Sequence, residues 1–189
     1  MIDEVIMKRF VVLLLLLTVM AMTFIGCTSA DTAAETTSVS PESAGSGEMD
    51  TLAEYLSQDM TALRKEKADV LLYDSYECLA WKEDGNSVVV LSADAQTVSG
   101  VLCFSTGGAL LYQQDASAVT IDDASALLGK NEEELTAAYG RFHFDSGSGR
   151  YLPAYITDHG ELLVFSFVND VVCSISVLKL SDGTRTFYE

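Results

Sequence analysis

YECLAWKEDGNSVVVLS (Tyr76–Ser92) decides the fold. Two short apolar runs, CLAW and VVVL, flank Asp84-Gly85-Asn86, a set of residues that tolerates the positive φ of a tight turn. The pattern predicts strands over 76–82 and 87–92 joined as a hairpin. Further out, 98–104 and 109–113 read as strands linked through Thr106-Gly107-Gly108. The C-terminal half reads the same way, with strands over 151–156, 161–168, 171–178 and 184–188. Their turns fall at Asp158-His159-Gly160, Asn169-Asp170 and Ser181-Asp182-Gly183. Connections this short make neighbouring strands antiparallel.

The two halves also match in spacing. Gly107, Leu111 and Tyr112 stand 76 positions before Gly183, Phe187 and Tyr188; Gly85 precedes Gly160 by 75, and Trp81 precedes Tyr155 by 74. Val88, Val89 and Val90 fall 75 positions before Leu163, Val164 and Phe165. Each half opens with helical signals. Leu52, Leu56, Met60 and Leu63 recur at steps of four, four and three, one stripe of an amphipathic helix with Asp50 placed to cap it. In the second half Asp122 is placed to cap a short helix ending near Gly129. Asn131 starts another that runs to Gly140. The triplet Glu132, Glu133, Glu134 sits in its first turn, where carboxylates favour the positive end of the helix dipole, and Asn131 with Glu134 has capping-box spacing.

The expected fold is therefore α+β: a tandem repeat of one or two helices followed by a four-stranded antiparallel meander, with the helices packed on one sheet face and the other face partly open. The first helix–sheet repeat spans 49–115 and the second 116–189. The order and spacing over Asp50–Glu189 resemble the beta-lactamase inhibitory protein fold. LLGKNEEELTAAYG (Leu127–Gly140) is similar to the helix-turn-helix opening of that fold and of small outer-membrane assembly lipoproteins. The resemblance implies a scaffold that binds other proteins on an open concave sheet. It carries over no individual contact residue.

Ahead of this domain lies a basic start at Lys8 and Arg9, a 16-residue apolar run from Phe10 to Ile25, then Gly26-Cys27. The layout is that of a secretory signal, too short for the roughly 20 residues of a membrane-spanning helix. FIGC (Phe24–Cys27) resembles the lipobox of bacterial lipoproteins, with Phe24 where that family prefers leucine. Residues 1–26 then form a lipoprotein signal peptide, Cys27 carries the lipid, and 27–48, rich in Thr, Ser, Ala, Glu and Gly, form a disordered linker. Localisation is expected outside the cytoplasm, lipid-anchored to a bacterial membrane.

The charge is −17, from 28 acidic against 11 basic residues. That balance argues against nucleic-acid binding, which draws on basic patches to displace counterions. It suits solubility, or an acidic face for a basic partner or a cation. Cys78, Cys103 and Cys173 make an odd set without CxxC spacing and read as small buried hydrophobes rather than metal ligands.

No G-x-S-x-G, HExxH, phosphate loop or dinucleotide fingerprint occurs, and no cofactor is implied. The one constellation for catalysis or metal binding is His143 with Asp145, on one face of a strand-like segment beside Ser146 and Ser148. It runs into Ser146-Gly147-Ser148-Gly149, a loop poorly suited to hold catalytic geometry. His159 falls in a turn. For a non-catalytic binding module, the candidate partner contacts are the aromatics Trp81, Tyr151, Tyr155, Phe142 and Phe144, with Trp81 and Tyr155 singled out by their matching positions. The expected partner is an envelope or secreted protein. The alternatives are metal binding or hydrolysis centred on His143 and Asp145, or a purely structural envelope component.

Overall fold

In a computed structural model, which describes residues 52–189, the chain builds two five-stranded antiparallel sheets. The first has β1 (Leu71–Asp74), β2 (Cys78–Glu83), β3 (Asn86–Leu91), β4 (Gly100–Phe104) and β5 (Leu110–Gln114) in sequential order. The second has β6 (Phe144–Asp145), β7 (Pro153–Ile156), β8 (Glu161–Val168), β9 (Val171–Lys179) and β10 (Arg185–Tyr188), again each beside the next. Among the described residues the helical elements are α1 (Met60–Glu66), a 3₁₀ turn (Ala124–Leu127) and α2 (Glu132–Tyr139), with Leu52 and Ala53 also helical. The expected signal segment 1–26, Cys27, the expected linker 27–48 and Asp50 lie outside the described residues.

This corrects the expectation of helices packed on four-stranded sheets. Each sheet gains an edge strand, β1 or β6, and what lies on its supposedly open face is the other sheet. The alternation along each strand shows how. Cys78 and Ala80 of β2, Val89 and Leu91 of β3, and Leu102 and Phe104 of β4 point inward. They share one core with Phe144, Ala154, Ile156, Leu162, Leu178 and Leu180 of the second half. The intervening residues Leu79, Trp81, Val88, Val90, Val101 and Cys103 point outward under Tyr55, Met60 and Leu63. Tyr155, Leu163, Phe165, Ile175 and Val177 do the same under Ile121, Leu127 and Leu135. A strand covered on both faces must be apolar at every position. CLAW, VVVL, GVLCF and PAYI are buried throughout for that reason.

The helices are shorter than the apolar stripe predicts. Ser57 takes φ 67°, which interrupts the turn that follows Leu52, and Asp59 caps a new helix by accepting from the Ala62 amide at 2.7 Å. In the second half Asp123, not Asp122, caps the 3₁₀ turn. The Asn131–Glu134 capping box forms as expected, each side chain accepting from the other residue's backbone amide (2.8 and 2.9 Å).

The two halves meet in a close backbone contact where the β4–β5 turn touches the β7–β8 turn. Gly108 and Gly160 both have positive φ (83° and 74°), and a Cβ on Gly160 would lie 3.1 Å from the Gly108 Cα. A Cβ on Gly108 would fall well inside contact distance of the His159 carbonyl oxygen. Polar links between the halves close the margins. Ser87 Oγ donates to the Leu180 carbonyl (2.6 Å), the Asp145 amide donates to Glu77 Oε2 (2.9 Å), and Lys82 reaches the Ser181 carbonyl.

Gly108→Ala is expected to lose about 2 kcal/mol or more in chemical denaturation, because it adds a backbone clash to left-handed strain. Gly129→Ala, at φ 77° with open space around it, is expected to lose only about 1 kcal/mol. Equal losses would show that the turn contact contributes nothing.

Candidate functional site

The five candidate aromatics part company in the structure. Trp81 and Tyr155 are fully buried and Phe144 nearly so, which withdraws all three as direct partner contacts. Their strands are covered on both faces, a situation the sequence expectation of an open sheet did not include. Trp81 packs edge-on against Tyr55 (5.1 Å between centroids), and Phe144 meets Tyr73 in the central core. Tyr155 donates its hydroxyl to the Gly140 carbonyl at 2.6 Å; burial, with Glu132 adding, pushes its pKa up to about 12.

Phe142 and Tyr151 remain. Phe142 is half-buried and lies against Tyr155 (4.5 Å), Phe165 (5.7 Å) and Phe167 (6.5 Å), so an aromatic stack climbs from the core toward the surface. Tyr151 is 50% exposed and donates its hydroxyl to Glu132 Oε1 at 3.0 Å. Tyr151 and Phe167 line a cleft of about 430 Å³ with Asn131, Glu132, Glu133 and Asp170. Next to it stand Val168 (51% exposed) and Val171 (40%) at the β8–β9 tip.

Backbone pairing fixes the walls of this cleft. The tip of the β8–β9 hairpin, where Asn169 and Asp170 both take positive φ, bonds to the segment entering α2. Val172 donates to the Lys130 carbonyl (2.8 Å), Gly129 donates to the Val172 carbonyl (2.9 Å), and Asn131 bridges Val171. The capping box then sets the direction of the first turn of α2. It uses Glu134, which leaves Glu132 and Glu133 on the rim. Rigid backbone beneath half-exposed aromatics is what a preorganised binding surface requires. Sequence reasoning singled out Tyr151 and Phe142 but missed Phe167 and Asp170, which only the folded hairpin brings beside α2.

A second aromatic and acidic group exists on the first sheet, and it is filled. Glu83 accepts from Tyr55 (2.7 Å), Lys67 (2.9 Å) and Trp81 (3.3 Å), and the Lys67 ammonium lies 5.3 Å from the Tyr55 ring and 5.5 Å from the Trp81 ring. Burial opposes the charge on Glu83, but these hydrogen bonds outweigh it and hold its pKa below the usual carboxylate value. Burial likewise opposes the Lys67 charge, and its bonds to Tyr55, Glu83 and Glu66 lift the pKa instead.

The His143–Asp145 pair does not form as a working unit. His143 Nδ1 accepts from the Ile156 amide (2.7 Å), while Asp145 Oδ1 accepts from Gly147 (2.9 Å) and Leu152 (2.8 Å), closing the polar loop. Burial pushes the His143 pKa down to about 4. Ser146 receives the Tyr73 hydroxyl bond, and exposed His159 sits 3.5 Å from Asp158 and 3.6 Å from Asp122. Cys78 and Cys103 are buried, but Cys173 is exposed, against the expectation that all three are buried. Among the described residues no group of three His, Cys, Asp or Glu is placed to hold a metal ion, and no helix is long and apolar enough to cross a membrane.

Comparison of the chain with protein-family models, with curated proteins and with solved structures gives no match.

Trp81→Ala and Tyr155→Ala are each expected to lose about 3–5 kcal/mol in denaturant titration, as large core truncations do, whereas Tyr151→Ala should lose less than about 1 kcal/mol. A Tyr151 loss as large as the other two would make it a core residue and remove the cleft's aromatic wall as a free surface.

His143 supplies a pH signature. Its folded pKa of about 4 lies below the usual 6.5, so the unfolded chain binds more protons between those values. The stability it confers is complete above about pH 6.5 and falls as the pH drops toward 4, by about 3 kcal/mol. His143→Phe should flatten that part of the stability profile; parallel profiles for the two proteins would show that His143 does not titrate differently on folding.

Proposed function

We propose that this chain is a membrane-anchored extracytoplasmic lipoprotein whose two-sheet domain binds a protein or peptide partner without catalysis. The single observation that carries the binding part is the cleft between the start of α2 and the β8–β9 hairpin. It holds Tyr151 and Phe167 on backbone-paired walls, beside exposed Val168 and Val171. Tyrosine anchors of this kind contribute large contact area at low entropy cost. The geometry around His143 and Asp145 supports this reading over the hydrolytic one, since both side chains are engaged by backbone amides.

The anchoring part rests on FIGC and the polar stretch behind Cys27. Several acyl chains on one cysteine bury enough CH₂ groups, at about 0.8 kcal/mol each, to hold a protein on a bilayer. A single chain would not.

Two measurements test the reading. Cys27→Ser should abolish palmitate labelling and move the protein out of the detergent-soluble membrane fraction; unchanged fractionation would remove the lipid anchor. A photo-crosslinking residue at position 151 should yield a discrete heavier adduct in intact cells, while the same probe at exposed Lys65 yields none. Equal adducts from both positions, or none from either, would remove the binding cleft.

A further inference from the structure

We infer that the cleft beside α2 receives a lysine or arginine side chain of a polypeptide partner, with an apolar neighbour of that side chain covering Val168 and Val171. This rests on the binding reading above and specifies its partner.

Three observations converge on that occupant. The cleft is lined by three acidic residues, Glu132, Glu133 and Asp170, with Asn131, Tyr151 and Phe167, and no lysine or arginine lines it. Among the described residues neither Glu133 nor Asp170 has an ion-pair partner, whereas Glu134 in the same turn is paired to Lys130. Glu132 accepts from Tyr151 through Oε1, which orients the phenol and the carboxylate together at the rim. Aromatic faces beside carboxylates attract cations through the ring quadrupole and the full charge at once.

The chain itself shows what such a group accepts. On the first sheet, two aromatic rings and one glutamate hold the ammonium of Lys67 at 5.3, 5.5 and 2.9 Å. There the cation comes from the residue that follows α1. On the second sheet the lining offers the same chemistry, a phenol, a phenyl ring and carboxylates, with no cation of its own. Charge complementarity selects a basic side chain, and the adjoining valines select an apolar residue next to it. A chain of net charge −17 favours the approach of such a segment and disfavours a second copy of itself.

The test uses the full chain in a non-ionic detergent, with three synthetic hexapeptides that differ only at a central position: Lys, norleucine or Glu between leucines. Binding is followed through the amide signals of Glu132, Glu133, Asp170 and Val171. The lysine peptide is expected to shift these signals and to bind at least tenfold more tightly than the norleucine peptide. Raising the salt from 25 to 300 mM should weaken it severalfold, and the glutamate peptide should bind least. Glu133→Gln with Asp170→Asn should erase the lysine preference while leaving norleucine binding in place; asparagine tolerates the positive φ at 170. Equal binding of the lysine and norleucine peptides would overturn the basic-side-chain inference and leave the binding cleft standing. No shift with any peptide would overturn both. Shifts with calcium alone, and none with the lysine peptide, would make the rim a cation site and also overturn the inference.

Discussion

Everything in this domain depends on two sheets pressing one face of each against the other. The contact commits thirteen buried side chains to a single core, from Tyr73 and Cys78 in the first half to Leu178 and Leu180 in the second. It is tight enough at one end that two glycines must stand back to back. Neither half could bury those residues by itself, because each sheet supplies only one wall of the shared core. Once that face is used, the outward faces must be closed by whatever chain is left, and very little is left. One seven-residue helix, one 3₁₀ turn and one eight-residue helix are the described helical elements beyond Leu52 and Ala53.

The two outward faces solve this shortage differently. On the first sheet, Tyr55 and Lys67 fold back over Trp81, and Glu83 ties phenol, ammonium and indole into one polar knot. A cation from the chain itself completes the cover. On the second sheet, the cover stops at Phe142, which stacks on Tyr155 and passes the aromatic row out to Phe167. Beyond that point Tyr151 and the acidic start of α2 face solvent. The open end of the stack is thus a consequence of how few residues remain to close a two-sided sheet. It is also the place where the proposed partner would dock, on apolar surface already fixed in position.

Much of this was legible in the residues. Eight of the ten strands and their glycine-bearing turns follow from short apolar runs broken by DGN, TGG, DHG and SDG, and the capping box of α2 follows from Asn131 and Glu134. What escaped was set by contacts across the chain. β1 is four residues and β6 only two, too short for a period to show; each pairs because a neighbour strand presents its edge. The apolar stripe from Leu52 to Leu63 looked like one helix because burial, not helicity, fixes its spacing. The uninterrupted apolar strands held the clue to a second covered face. A strand in an open meander would alternate, and CLAW does not. For the site, the acidic triplet stands in the first turn of α2, but only Glu134 is used in the capping box, which leaves Glu132 and Glu133 on the cleft rim. Phe167 and Asp170 carried no local signal, because their role arises only when the β8–β9 tip bonds to Gly129 and Lys130.

Charge gives the proposed anchor and the cleft a common logic. An acidic body is repelled by an anionic bilayer surface over about a Debye length, roughly 8–10 Å at physiological salt. A lipid on Cys27 would hold the chain at the membrane while that repulsion and the polar linker keep the domain off it. The same field draws in basic segments, raising their encounter rate before any contact forms. Long-range attraction of this kind does not discriminate among cations; the discrimination must come from a place where charge and apolar surface coincide. Among the described residues, the rim of Glu132, Glu133 and Asp170 against Tyr151, Phe167 and the valines brings the two together without a basic residue of the chain in the lining. In the proposed binding function, field and cleft would divide the work: the first would set how often a basic chain arrives, and the second which one stays.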